Sequence, residues 1–378
     1  MAGIYLHIPF CKQACYYCDF HFSTSLNKKD ELISCLSTEL EIRKDELKDE
    51  TVETIYFGGG TPSLLEINEI NSFIELIYKN FDTKSDLEIT LEANPDDLTN
   101  IKLQELSKCK INRLSIGIQS FNDKELKIMN RVHNSSDSKK CIERSKKYFN
   151  NISIDLMYGM PESNLATWEN NLDIAISYDV NHISAYALTV EPKTALESYI
   201  KKGLINLLDE ELVFKQYKLL YKKLTDCSYI NYELSSFCKE GYYSKNNSAY
   251  WLRKKYLGIG PSAHSFNGSS RSWNISNNNL YVKALSNNEV YFESEKLTKT
   301  DLYNEYVMTG LRTIWGISED FLENNFGLKY KNHFLEKSKS FIKSGHLKNE
   351  NKIFKTTIDG MFLADGIASE FFIINLGN

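Results

Sequence analysis

Excess charge of either sign is missing from this 378-residue chain: 45 Lys and Arg stand against 50 Asp and Glu, a formal net charge of −5. That balance supplies no global attraction to nucleic acid or anionic lipid, so no nucleic-acid partner is expected. Long apolar runs are missing too. No uninterrupted stretch approaches the ~20 residues that cross a bilayer, and "IYLHIPF" follows Met1 almost at once, without the basic leader and cleavage site of a secreted precursor. A cytoplasmic location is the expectation. Paired cysteine spacings are scarce: Cys35, Cys109, Cys141, Cys227 and Cys238 are scattered and read as small buried hydrophobes rather than disulfides. With 42% hydrophobic and 25% charged residues, the chain can bury one large core and a smaller one.

The other three cysteines, Cys11, Cys15 and Cys18 in "CKQACYYCDF", are spaced C-x3-C-x2-C, and here the missing thing is a fourth thiol. A zinc site or an ordinary iron-sulfur cluster is closed by four protein ligands, so three thiolates leave one coordination position for something else. A zinc site completed by His7 or His21 is the plain alternative.

Short β-rich runs recur: "IYLHIPF", "TIYFGGG", "LEITLEANP", "RLSIGIQS", "ISIDLMYGMP" and "HISAYAL". Between them lie stretches of helical periodicity, such as Leu32, Cys35, Leu36 and Leu40, or Leu212, Val213, Tyr217, Leu220 and Leu224. The βαβα pattern predicts an α/β fold, an incomplete parallel (β/α)6 TIM-like barrel, with its chemistry at the carboxyl ends of the strands. A further β-like run, "YINYELSSF", follows residue 228, and a Gly/Ser/Asn-rich stretch occupies residues 267–279. The expected organisation is a core barrel over 1–228, a connecting segment over 229–290 and a smaller, mostly helical, winged-helix-like domain over 291–378. That last domain ends with the hairpin-like "LKNENKIFKTT" and a helix. Its lysines are interleaved with Glu and Asn, which argues against DNA.

Polar residues at the strand ends carry the candidate chemistry. The glycines of "GGGTP" (Gly58, Gly59, Gly60, then Thr61) either make a tight turn or let backbone groups approach a zwitterionic amino acid. Glu92, Gln119 and Asp155 end otherwise apolar strands, a costly placement unless each finds a partner; tying barrel loops together is the structural alternative. Arg131 in "MNRVHN" is either a surface cation or a bidentate carboxylate clamp.

The cysteine segment closely resembles the radical S-adenosylmethionine (SAM) superfamily. There, three thiolates bind three irons of a 4Fe-4S cluster and the amino and carboxylate groups of SAM chelate the fourth. "YLHIPFC", "FGGGTPS", "RLSIGIQSF", "DLMYGMP", "GIGPSAHSF" and the carboxyl-terminal region together resemble the oxygen-independent coproporphyrinogen III oxidases and their relatives over nearly the whole chain. The resemblance implies Cys11, Cys15 and Cys18 as cluster ligands. It implies Tyr5, Tyr17, Gly58, Gly59, Gly60, Thr61, Glu92, Gln119, Arg131 and Asp155 as SAM contacts, with Tyr17 beside the adenine and His7 as a hydrogen-bond donor near the cluster loop.

Within that subfamily, the true decarboxylase carries a further cysteine where this chain has Phe20, and a long amino-terminal extension where only Met1, Ala2 and Gly3 precede the expected first strand. Both departures resemble the HemW-type heme chaperones, which bind heme and pass it to apoproteins such as respiratory enzymes. This implies heme as a third cofactor and heme-accepting apoproteins as partners. A peripheral membrane contact through the acceptor, and a homodimer, are further expectations. No catalytic residue is assigned, and catalysis on a tetrapyrrole is the alternative function. The chaperones' H-N-x-x-Y-W motif reads "NNSAYW" here: Asn246 replaces the histidine, and Asn247, Tyr250 and Trp251 remain. Asparagine is a poor iron ligand, so an axial ligand is sought in His264, His21 or His7, with Cys238 more remote.

Overall fold

A computed structural model describes residues 1–374 of the chain, so residues 375–378 of the expected last domain lie outside the described residues. Alternation of side chains along each strand builds the main body. In β1 (Ala2–Ile8), Ile4, Leu6 and Ile8 are fully buried against a helical layer, while Tyr5 and His7 face the opposite, concave side. The same division runs through β2 (Val52–Gly59), β3 (Thr83–Ala93), β4 (Arg113–Gln119), β5 (Ile152–Tyr158) and β6 (His182–Ala187). These six strands pair in sequence order and in parallel, with crossover helices covering the apolar side.

The barrel is open. Past β6, the sheet continues through two short antiparallel strands, β8 (Ser236–Cys238) and then β7 (Ile230–Asn231) at the edge. On the other side β9 (Lys255–Ile259) pairs parallel to β1, followed by antiparallel β10 (His264–Phe266), β11 (Ser270–Asn274) and β12 (Phe292–Lys296). The chain crosses between the two sides through the helix Lys245–Trp251. Its first N–H groups, those of Lys245 and Asn246, donate to the Glu88 carboxylate, both at 3.2 Å. This helix therefore sits on the concave face at the amino-terminal ends of β1 to β3.

Two stretches differ from the sequence expectation. "YINYELSSF" is a hairpin rather than one strand, because Asn231 Nδ2 donates to the carbonyls of Glu233 and Ser236 and pins a tight turn between β7 and β8. The polar stretch near 267–279 holds a strand, Ser270–Asn274, before a helix begins at Asn278: Asn267 Oδ1 accepts from the N–H groups of Ser269 and Ser270 and shapes the β10–β11 turn. The sheet then runs on through β12, past residue 290. Cys35, Cys141 and Cys238 are buried, but Cys227, which caps the helix Glu210–Asp226, is exposed.

A second, smaller core forms around Tyr303, Val307, Leu311, Phe334, Phe354 and Phe371. It lies between the helices Lys299–Leu311, Leu328–Lys343 and Ala364–Phe371 and a three-stranded sheet of β13 (Ile317–Ser318), β15 (Ile353–Thr356) and β14 (Leu347–Glu350). Backbone bonds from Leu234 N to Arg312 O (2.9 Å) and from Ile314 N to Tyr232 O (3.1 Å) join it to the barrel.

Candidate functional site

The three spaced cysteines lie on the loop that leaves β1, each partly buried. Backbone bonds anchor this loop at both ends, Cys11 N to Ser23 O (3.0 Å) and Tyr16 N to Met129 O (3.2 Å). Asn130, in a left-handed conformation at φ 58°, clasps the middle: its Nδ2 donates to Ala14 O and its carbonyl accepts from Gln13 Nε2, both at 2.8 Å. Burial pushes the Cys11 thiol up and the Cys18 thiol up to about 11, with neighbouring thiols adding to both. Such sulfurs stay protonated at neutral pH until a cationic centre offsets the cost of the thiolate.

A chain of side chains links two of the sulfurs across the barrel mouth. Arg131 Nη1 donates to Cys15 Sγ at 3.4 Å, and its Nη2 donates to Asn94 Oδ1 (2.6 Å) and to the Gly117 carbonyl (2.8 Å). Asn94 Nδ2 donates to Thr61 Oγ1 (3.2 Å), which donates to Cys11 Sγ (3.5 Å). The guanidinium, a candidate carboxylate clamp from the sequence, bonds the cysteine loop and the end of β4 here. Gly117 leaves room for this: a Cβ there would lie 2.9 Å from Gln119 Nε2 and 3.2 Å from Arg131 Nη2. Gln119 itself takes a left-handed φ of 65° where the β4–β5 register shifts, which turns its side chain over Gly117.

The glycine run closes the site from the β2 side. A Cβ on Gly58 would lie 2.7 Å from the Tyr5 ring, one on Gly59 2.7 Å from the His7 ring, and one on Gly60 2.6 Å from the Phe10 carbonyl. His7 donates from Nε2 to the His21 carbonyl (2.9 Å) and accepts at Nδ1 from Tyr5 OH (3.2 Å); burial lowers its pKa to about 4, so it is neutral. His21 Nε2 bonds Asn278 Oδ1 at 2.7 Å. Both histidines that a zinc site would recruit are engaged elsewhere. Among the described residues no three His, Cys, Asp or Glu side chains converge on a single-ion site. A cluster spreads its thiolates over separate irons, so its ligands need not converge so tightly.

Beneath the loop lie the acidic groups. Glu92 accepts from Tyr56 OH at 2.7 Å, and burial raises its pKa to about 7, with the Asp155 carboxylate adding to the rise and Tyr56 and the Gly59 N–H opposing it. Asp155 accepts from Ser115 Oγ (3.4 Å), and burial lifts it to about 6 against the pull of the Arg113 guanidinium. Arg113 is itself fully buried, with Nε and Nη1 lacking partners. Tyr17 packs with Leu126, Met129, Met157 and Met160 and lies beside Cys15 and Arg131. Sequence reasoning missed Asn94, Tyr56, Arg113 and Asn130. Asn94 and Tyr56 were signalled by their two-residue spacing from Glu92 and Gly58, and Arg113 by its place as the cation in an otherwise apolar strand.

The heme-motif residues occupy a different part of the concave face. Asn246 is buried, its Oδ1 accepting from Thr54 Oγ1 at 3.1 Å. Tyr250 and Trp251 line two neighbouring cavities. One, of ≈ 340 Å³, also touches Tyr186, Asn247 and Arg312; the other, of ≈ 160 Å³, touches Arg253, Tyr256, Phe266 and Arg271. His264 pairs across the sheet with Trp273, one step along from the Phe266–Arg271 pair and on the same face.

An open parallel barrel with a three-cysteine loop at its mouth and a glycine turn beside it defines a radical SAM protein, and the radical SAM superfamily model matches residues 5–175. A HemN C-terminal domain model matches residues 297–363. The chain is 32% identical to the heme chaperone HemW of Bacillus subtilis, over 98% of this chain and 99% of that protein. It is 35% identical to the heme chaperone HemW of Buchnera aphidicola from Schizaphis graminum, over 96% of both. The chain belongs to the HemW heme chaperone family. Its fold matches coproporphyrinogen III oxidase (HemN) of Escherichia coli with a TM-score of 0.84 at 22% identity, covering 98% of this chain and 89% of that one. A 4Fe-4S cluster and SAM are the cofactors that radical SAM membership carries.

Proposed function

We propose that this chain binds heme and passes it to apoproteins, holding a 4Fe-4S cluster through Cys11, Cys15 and Cys18 and SAM across the mouth of the barrel. The observation that carries the heme reading is the placement of Tyr250 and Trp251 between two cavities on the concave face, where flat aromatic rings offer stacking area to a porphyrin. The donor set fits the cluster: three partly buried thiols share one loop, and Arg131 and Thr61 are aimed at two of the sulfurs. When bound, cluster and SAM together supply one-electron cleavage of a C–S bond. The protein's part is positional. Gly58, Gly59 and Gly60 let the end of β2 close onto Tyr5, His7 and the Phe10 backbone beside the cysteine loop, Glu92, Gln119 and Asp155 offer polar contacts to ribose and neighbouring groups, and Tyr17 with its methionine neighbours offers an apolar face to the adenine.

Asn246 is buried and hydrogen-bonded to Thr54 and Tyr250, Cys238 is buried with its thiol pushed up to about 12, and His7 and His21 are hydrogen-bonded. His264 is the remaining imidazole for axial ligation, and burial lowers its pKa, favouring the neutral ligand form. His264→Ala is expected to shift the heme spectrum more than Asn246→Ala does. Tyr250→Ala and Trp251→Ala are expected to lower affinity while leaving the spectrum of bound heme nearly unchanged. The deciding assay combines heme titration with incubation of the reconstituted protein, SAM, reductant and coproporphyrinogen III. Saturable heme binding without protoporphyrinogen is expected, since Phe20 stands exposed where the oxidases have a thiol. Efficient conversion would replace carriage with catalysis. The proposed location is cytoplasmic, with acceptor apoproteins, contact with a membrane through them, and a second copy of the chain as partners. No helix of the described residues is long and apolar enough to cross a membrane.

Two further outcomes follow for SAM. Arg131→Ala is expected to lower SAM affinity about thirtyfold, ~2 kcal/mol, and to reduce iron retention as well, because the guanidinium ties Cys15 to Asn94 and Gly117. Lysine, a point charge without the planar fork, should not rescue either quantity; calorimetry and iron analysis report both. Second, Glu92 and Asp155 accept from ribose hydroxyls best when ionised, so SAM affinity should rise with pH through about 6 to 7. Binding at pH 6.5 should release protons, seen as a buffer-dependent enthalpy that Glu92→Gln reduces to the smaller share of Asp155. In the SAM-free protein the sign is opposite: carboxyls with raised pKa stabilise the fold below their unfolded values and lose that contribution as pH climbs through 6 to 7.

A further inference from the structure

We propose that Arg253 and Arg271 form a carboxylate-anchoring subsite, at which the propionates of the bound tetrapyrrole are held in the cleft between the β9–β11 edge and the helix Lys299–Leu311. This rests on the heme-carrier reading and adds an orientation to it. The ≈ 160 Å³ cavity is mainly aromatic in character, lined by Tyr250, Trp251, Tyr256 and Phe266, yet two guanidinium groups enter it. Arg271 Nη1 pairs with Glu305 Oε1 at 2.8 Å, and its guanidinium lies 5.8 Å from the Phe266 ring centre. Arg253 Nε is buried without a hydrogen-bond partner, its guanidinium 6.0 Å from the Tyr306 ring centre, and its backbone holds a left-handed φ of 55° that orients the side chain at the end of the Tyr250–Trp251 helix.

The local charge count leaves a cation over. Glu305 is the buried-side carboxylate that both arginines feel, while Glu295, opposite Arg271 on β12, is exposed at the sheet edge. Burial depresses the Arg253 pKa and Arg271 depresses it further, as expected for two like charges short of an anion. The other cavity differs. Its Arg312 is already spent on Asp365, with Nε at 2.6 Å and Nη2 at 2.5 Å. An anionic group on a ring resting against Tyr250 and Trp251 therefore finds its free partner on the Arg253 side, where a guanidinium fork suits a carboxylate.

The test titrates the full-length reconstituted protein with hemin and with hemin dimethyl ester, which keeps the macrocycle and lacks the acids. Hemin should bind Arg253→Met and Arg271→Met about tenfold more weakly than it binds the unaltered protein. The ester should bind all three alike, and more weakly than hemin binds the unaltered chain. Glu305→Gln, which removes the competing carboxylate without removing a cation, should tighten hemin. Unchanged hemin affinity in both folded arginine variants overturns the subsite, as does an equal loss for hemin and ester. Failure of the unaltered protein to bind hemin at all overturns the carrier reading, and is seen before any variant is made.

Discussion

Cys15→Ala is expected to bleach the anaerobically reconstituted protein, with iron and sulfide falling to near background while the fold persists. The three thiols share a single loop, and the removal of one leaves two anionic ligands for a four-iron centre. Cys15 is also the sulfur toward which Arg131 points, at 3.4 Å, so its loss unhooks one end of the side-chain chain that runs through Asn94 and Thr61 to Cys11. Circular dichroism should remain native, because the loop contributes little to the apolar core, which is built from strand and helix residues such as Ile4, Leu6, Leu36 and Phe57. Full iron and sulfide in a folded Cys15→Ala protein would remove the ligand assignment.

Gly60→Ala is expected to lose the cluster as well, although every cysteine is intact. An added methyl group would meet the Phe10 carbonyl at 2.6 Å, the Ile8 carbonyl at 2.9 Å and the Phe10 nitrogen at 2.9 Å, all backbone atoms that lead directly into Cys11. Gly60 N also donates to Ile8 O at 2.9 Å, so the two segments cannot separate without breaking that bond. Overpacking of this kind typically costs ~1–3 kcal/mol, and here the displacement falls on the cluster loop. Gly366→Ala is the matched control: a Cβ there meets nothing within 4 Å inside the helix Ala364–Phe371, and the change should raise stability by up to ~1 kcal/mol through helix propensity. Thermal unfolding and iron content measured on both variants separate a general glycine effect from the local one. Equal cluster retention in the two would show that the loop yields more freely than its packing implies.

Three spaced cysteines, a triple glycine after an apolar run, and polar residues ending alternating strands are local patterns, and each survives reading one residue at a time. The repeated βαβ units were legible for the same reason, since strand and helix periods are written in consecutive residues. The hairpin in "YINYELSSF" was not legible, because it depends on one amide, Asn231 Nδ2, reaching two carbonyls. Nor was the strand Ser270–Asn274 within the polar 267–279 stretch, which required partner strands on both sides.

By itself, then, the sequence determined the class of cofactor and the repeated βαβ units, because ligand spacing and strand and helix periods are short-range facts of the chain. Tertiary structure alone decided how the site is held. Arg131 meets Cys15 across 116 positions, Thr61 meets Cys11 across 50, and Asn246 meets Thr54 across 192. Those choices arise when parallel strands bring distant side chains onto one concave face, where each buried donor must find an acceptor and steric room decides which one it finds.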